Sequence, residues 1–264
     1  MIIIKTLLII TAVILLTCAV AVGYAFVLLK KWPPLSLYSA RRKQPDFLPA
    51  DQLPPRFLQL LIRQEDTRFY THHGIDPDDI RSALRRNWAA RKIVRGGSGI
   101  TQQLAKNLYF RRFTRSWLRK LAELVIALNL ERSLGKKRIL ELYVNIIYFG
   151  NGIYGIADAA RFYFNKPASD LTLNQMVILS LMPPLPTAGN PVQHPDVLKR
   201  FRDRKLERFG EEPPLISPEE AEEIRSHDAD NLDPELRKPD DYTRNYPTVI
   251  PLSNERYGPL SREH

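Results

Sequence analysis

The stretch that decides the fold runs from Arg119 to Ile156, RKLAELVIALNLERSLGKKRILELYVNIIYFGNGIYGI. Leu121, Leu124, Val125 and Leu128 recur at the spacing of one helical face, and Arg119 with Glu123 forms an i, i+4 pair on a neighbouring face. Gly135 interrupts that pattern. Ile139, Leu142, Tyr143 and Ile146 then mark the buried side of a second helix, which ends toward Gly150, Gly152 and Gly155. Further on, Thr172 and Gln175 have the spacing of a capping box and open another helix that Pro183 and Pro184 close. No segment alternates apolar and polar residues for more than a few positions. The spacing therefore predicts a mainly α-helical domain, in which Arg119 and Glu123, on spacing alone, are a surface ion pair worth less than about 1 kcal/mol.

Working outward, the chain of 264 residues is 44% hydrophobic and 26% charged, a globular balance. Its one cysteine, Cys18, excludes an intramolecular disulfide and a cysteine-based zinc site. The net charge of +10 implies an anionic partner without saying which. Its distribution says more: Arg81 to Arg138 holds 16 basic residues against Glu123 and Glu131, while Glu211 to His264 holds 14 acidic and 6 basic residues with eight prolines. That acidic tail reads as an extended or weakly ordered extension with a short helix at Pro218 to Arg225.

At the other end, Thr6 to Leu29 gives 24 uncharged residues, enough to cross about 30 Å of hydrocarbon. Ala19, Val20 and Ala21 form a small-x-small cleavage pattern, but the apolar run continues past it, which favours an uncleaved anchor. Lys30, Lys31, Arg41, Arg42 and Lys43 follow this helix and only Lys5 precedes it. A positive-inside count alone would thus keep the bulk of the chain in the cytoplasm. The expected organisation is a stub and anchor over 1–31, a linker over 32–52, a helical domain over 53–198 and an acidic, proline-rich extension over 199–264.

Two shorter strings carry chemistry. In EDTRFYTHHG, residues 65–74, Glu65 extends the face formed by Phe57, Leu58, Leu61 and Ile62. Its carboxyl is expected to face the core, where desolvation favours the protonated form and suits a general acid or base. Asp66, Phe69 and His72 crowd beside it. In GGSGITQQLAKN, residues 96–107, a glycine-rich loop with Ser98 feeds a helix start, where free amides attract anions. Gln103 and Lys106 share a face of that helix and could reach one phosphate. No Walker pattern is present.

The three strings resemble the patterns EDxxFxxHxG, GGSTITQQLxKN and RKxxE followed by ILExYLN and GxxxYG. These are the signatures of the peptidoglycan glycosyltransferases, which polymerise lipid II into glycan strands. The resemblance covers Leu53 to Leu198 and, with no Ser-x-x-Lys string in the remaining residues, points to the monofunctional, membrane-anchored members. It implies a lysozyme-like helical fold on the outer, periplasmic side of the cytoplasmic membrane, overruling the charge count. It also implies that Glu65 is the general base acting on the acceptor 4-hydroxyl and Glu123 the second essential carboxylate, near the donor pyrophosphate. Asp66, Phe69, His72, Ser98, Gln103, Lys106, Arg119 and Lys120 match residues that shape the cleft and bind phosphate. No cofactor is called for and no metal ligand set is assigned; a divalent cation such as Mg2+ beside Glu123 stays open.

The implied partners are lipid II, the nascent glycan strand and membrane lipids, with wall-synthesis proteins left open for the tail. Aromatics interleaved with the basic stretch (Trp88, Tyr109, Phe110, Phe113, Trp117) suit a membrane surface better than nucleic acid. Two other readings stand beside this one, a lysozyme-like lytic enzyme and a catalytically weak membrane-bound peptidoglycan-binding module. The sequence departs from the family at Gly99, where the pattern has threonine. Loss of that hydroxyl, worth about 1 kcal/mol, predicts reduced rather than absent activity.

Overall fold

The computed structural model describes residues 2–91, 97–110 and 117–237. These contain ten α-helices and, among the described residues, no strand; one isolated antiparallel bridge joins Tyr148 and Tyr154. They fall into two compact units, one built from residues 2–41 and the described part of 70–139, the other from 42–69 and 140–237.

In the first unit, α1 (Ile2–Lys31) is long and apolar enough to cross a membrane, with mean hydropathy 2.6 over its most apolar window. Residues 3–16 of this helix are exposed, but Ala21, Ala25 and Leu29, one helical turn apart, are buried. The Tyr24 ring lies 6.2 Å from that of Phe110, and the Tyr109 hydroxyl donates to the Trp32 carbonyl at 2.7 Å. The stretch read as a linker carries a helix, α2 (Pro34–Arg42), which buries Leu37, Tyr38 and Arg41 and sets the Tyr38 ring under the Arg138 guanidinium. The base of α1 is therefore fastened to the unit by packing as well as by the chain.

Helix α4 (Pro77–Ala89) is capped by Asp76, whose carboxylate accepts from the amides of Asp78 and Asp79, with Pro77 in the first turn. Helix α5 (Ile100–Tyr109) follows the glycine-rich loop. Helix α6 (Trp117–Ile146) is interrupted at Gly135, whose φ of 69° and ψ of 166° are not helical, where the sequence reading placed the break.

In the second unit, α3 (Pro55–Glu65) buries Phe57, Leu60, Leu61, Ile62 and Gln64. The sequence reading centred this face on Phe57, Leu58, Leu61 and Ile62. Leu60 is fully buried and Leu58 only half so, which rotates the face and leaves Glu65 half-buried at its margin while Asp66 is buried. Helix α7 (Ile156–Phe164) is almost wholly buried, and α8 (Leu173–Leu181) begins with the expected Thr172 and Gln175 capping box. Helices α9 (Pro195–Phe209) and α10 (Pro218–Arg225) complete the unit.

Helix α10 has the bounds expected of it, but the extension around it is ordered as far as Arg237. Ser217 and Glu220 form a second capping box, and Arg56 bonds the Glu220 carboxylate. That guanidinium, followed by the Ser217 amide, holds the Glu220 carboxyl below the usual carboxylate range. The tail beyond Arg237 lies outside the described residues.

Gly155 precedes α7 with φ 82°, and a Cβ there would lie 2.6 Å from the Asn145 carbonyl oxygen. Both the backbone conformation and the space demand glycine. Gly155→Ala is expected to lower stability by about 2 kcal/mol or more, read as a lower midpoint in chemical denaturation; an unshifted midpoint would contradict the close approach.

Candidate functional site

The residues singled out by sequence divide between the two units, and each group is built by its own helices. In the second unit, α3 delivers Glu65 as its last residue. Asp66 leaves the helix at φ −160°, its amide still bonded to the Ile62 carbonyl at 2.8 Å. The Phe69 amide returns to the Asp66 carbonyl at 2.9 Å, and the Phe69 ring is fully buried, so the chain after Glu65 is a tight, anchored turn.

The second half of α6 adds a residue that sequence reasoning counted only as core. Tyr143 is completely buried, and its hydroxyl is pushed well above the ordinary tyrosine range, first by burial and then by the negative charges of Glu65 and Asp66. It therefore remains an uncharged phenol beside two carboxylates. The available signal was a tyrosine in an apolar stripe, since a buried phenol requires a polar neighbour.

The first unit gathers the phosphate-binding candidates. Glu123, on α6, is 2% exposed, and both its oxygens are taken: Arg119 Nη1 donates to Oε1 at 2.6 Å and Lys120 Nζ to Oε2 at 3.2 Å. The surface pair expected from spacing is thus a buried anion holding two cations. Lys120 also donates to Ser98 Oγ at 2.6 Å and to Gln102 Oε1 at 3.2 Å. One ammonium so ties the glycine-rich loop, α5 and α6 together.

Gln102, buried, is the second residue that sequence reasoning missed. Gln103, which it named, donates instead to the Ser98 carbonyl at 3.3 Å and closes the loop onto the first turn of α5. Lys106 is exposed on α5. His72 is buried, and its Nδ1 accepts from the Gly74 amide at 3.1 Å. Gly74 has φ 91°, and a Cβ there would lie 3.0 Å from the Ala127 carbonyl oxygen, so the turn sits directly on α6.

Chemically, the first unit presents two cations on one buried anion, with a hydroxyl and the amide-rich start of α5 beside them. That set has surplus positive charge and suits a diphosphate. It does not suit a divalent cation bound to Glu123, because both carboxylate oxygens already accept from positive groups that would repel it. The second unit presents a half-buried carboxylate, suited to taking a proton.

Gly99 is the N-cap of α5, in extended conformation (φ −73°, ψ 178°) and without a side-chain cap. Threonine fits this backbone and would supply both a cap and a hydroxyl. Gly99→Thr is expected to raise activity about 5-fold, the equivalent of about 1 kcal/mol. An unchanged turnover would show that position 99 does not limit the rate. Gly96 lies outside the described residues, as do Arg111, Arg112, Phe113 and Arg115 of the basic stretch.

Comparison with known proteins adds two findings. Residues 34–209 match the family model described as Transglycosylase. Similar proteins include penicillin-binding protein 1F of Bacillus subtilis, 42% identical over 65% of this chain and 23% of that protein. Penicillin-binding protein 1A of Aquifex aeolicus is 41% identical over 67% of this chain and 24% of its own length. A biosynthetic peptidoglycan transglycosylase of Chromobacterium violaceum is 44% identical over 53% of this chain and 61% of its own. The chain thus spans about a quarter of the length of the first two.

Proposed function

Because this chain belongs to the transglycosylase family, we propose that it is a peptidoglycan glycosyltransferase that polymerises lipid II into β-1,4-linked glycan strands. The observation that carries the reading is the cation pair held on buried Glu123 and tied to Ser98. A sugar diphosphate donor needs its leaving group stabilised, and positive groups fixed before reaction do this without reorganising.

In this reading Glu65 takes the proton from the acceptor 4-hydroxyl. The oxygen attacks C1 of the donor from the face opposite the phosphate, a C1–O bond forms, the C1–O(phosphate) bond breaks, and undecaprenyl diphosphate leaves. One displacement converts an α-linked donor to a β-linked product, so no covalent enzyme intermediate is required. Arg119 and Lys120 receive the developing charge on the diphosphate, and Glu123 keeps them aimed. Asp66, Phe69 and Tyr143 fix the turn and surroundings of Glu65, His72 braces the turn that follows, and Gln103 and Lys106 flank the phosphate side.

We assign α1 to the cytoplasmic membrane, with the catalytic part on its outer, periplasmic side where lipid-linked substrate is polymerised. Trp88 and Trp117, each 87% exposed and flanked by basic residues, support contact with lipid headgroups. The test is incubation of the purified full chain with labelled lipid II, beside Glu65→Gln. Polymer from the first and none from the second supports the enzyme; soluble fragments released from purified sacculi would instead indicate lysis.

A further inference from the structure

We infer that the segment from Arg208 to Glu220 is a positioning clamp for Glu65, acting through Arg63; the inference rests on Glu65 being the general base. Most of this segment lies past the family match, which ends at residue 209. It nonetheless grips the helix that delivers Glu65.

The geometry is specific. Arg63 Nη1 donates to the carbonyls of Arg208 at 3.3 Å and Glu211 at 3.2 Å, and Nη2 donates to that of Pro213 at 2.7 Å. The first acceptor lies in the last turn of α9, where carbonyls lack amide partners and the helix dipole favours a cation. Arg208 returns the contact, donating from Nη2 to Thr67 Oγ1 at 2.6 Å. Residues two before and two after Glu65 are therefore fastened to the same stretch of chain. Two turns earlier, Arg56 grips the Leu215 carbonyl through Nε at 2.8 Å and Nη2 at 2.6 Å, and the Glu220 carboxylate through Nη1 at 2.8 Å.

On a helix, positions 56 and 63 lie within about 20° of each other, and position 65 lies about 200° further round. Arg56 and Arg63 thus run along one flank of the buried face of α3, and Glu65 emerges at the other. Apolar packing resists pulling α3 away but resists rolling it only weakly. The two forks fix the roll. With a side-chain tip about 6 Å from the axis, a roll of about 10° moves the carboxylate by about 1 Å, and a 1 Å misplacement can cost about 10²-fold in rate. These hydrogen bonds are partly solvated, so their effect on stability is small compared with their effect on alignment.

The experiment uses the purified full chain in detergent with labelled lipid II. Arg63→Met, which keeps the aliphatic stem and removes the fork, is expected to lower kcat about 30-fold with KM within about twofold. Arg63→Lys should recover part of the loss, since an ammonium can reach a carbonyl but not span three. Amide hydrogen exchange at Ile62–Asp66 should quicken in Arg63→Met. A kcat within twofold of the parent together with unchanged exchange would overturn the clamp. Should Arg63→Met fail to fold, Thr67→Val removes the contact from Arg208 with little change of shape, and is read by the same two measurements with the same criteria. If the parent chain makes no polymer, the assignment of Glu65 fails, whereas exchange at Ile62–Asp66 still decides whether the segment restrains α3.

Discussion

Glu65→Gln is expected to leave the chain folded and to lower the initial rate of lipid II polymerisation by about 10³-fold or more, within the range for loss of a general base. The change removes one charge and almost no volume, at a half-buried position on the margin of α3 rather than in its core. Stability should therefore move by less than about 1 kcal/mol, and the thermal midpoint should serve as the control. Asp66 is not expected to substitute, because it is buried in the turn that follows α3, whereas Glu65 reaches the margin of that face. A variant retaining more than a tenth of the parent rate would show that another group accepts the proton.

The second large effect is at Glu123, and it has a different origin. Glu123→Gln should lower kcat/KM by about 10²- to 10³-fold while also lowering the thermal midpoint by several degrees. Removing one partner of a fully buried ion pair costs about 3–5 kcal/mol, and solvent reaching the part-exposed Arg119 and Lys120 recovers part of that here. Here two cations are left, and a glutamine amide group would point a donor at one of them. Arg119 and Lys120 would separate, and Lys120 would pull on Ser98 and Gln102 as it moved. Measuring initial rates against lipid II concentration, with calorimetry on the same samples, distinguishes this from Glu65→Gln, in which the midpoint holds. Full activity in Glu123→Gln would mean that the cations need no buried anion to stay in place.

Much of this was legible in the sequence, for identifiable reasons. The helical periods on either side of Gly135, the capping box at Thr172 and the bounds of α10 are local, and local spacing reports them. The burial of Glu123 was not, because an i, i+4 spacing fixes which side chains share a face but not what covers it. The same limit explains the choice of Gln103 over Gln102: the inward side of α5 is set by its neighbours. Tyr143 was hidden by its own periodicity, which fits a core residue equally well. Ser217 and Glu220 have the spacing of a capping box at the start of α10, but the packing of the acidic, proline-rich chain around that helix, through Arg56 above all, is not a local property. The grip of Arg56 and Arg63 on residues about 150 positions away had no local signature at all.

The length of α1 has one further consequence. At about 1.5 Å per residue its 30 residues reach about 45 Å, against about 30 Å of hydrocarbon. Roughly the last ten residues are therefore surplus to the crossing; they include Ala25 and Leu29, buried in the first unit, and lead into Trp32, whose carbonyl the Tyr109 hydroxyl holds. With α1 in the bilayer as proposed, the helix works as a fixed stilt. It sets the altitude of Ser98, Lys120 and Glu123 above the lipid, so that a diphosphate riding at headgroup level meets them without a search in the vertical direction.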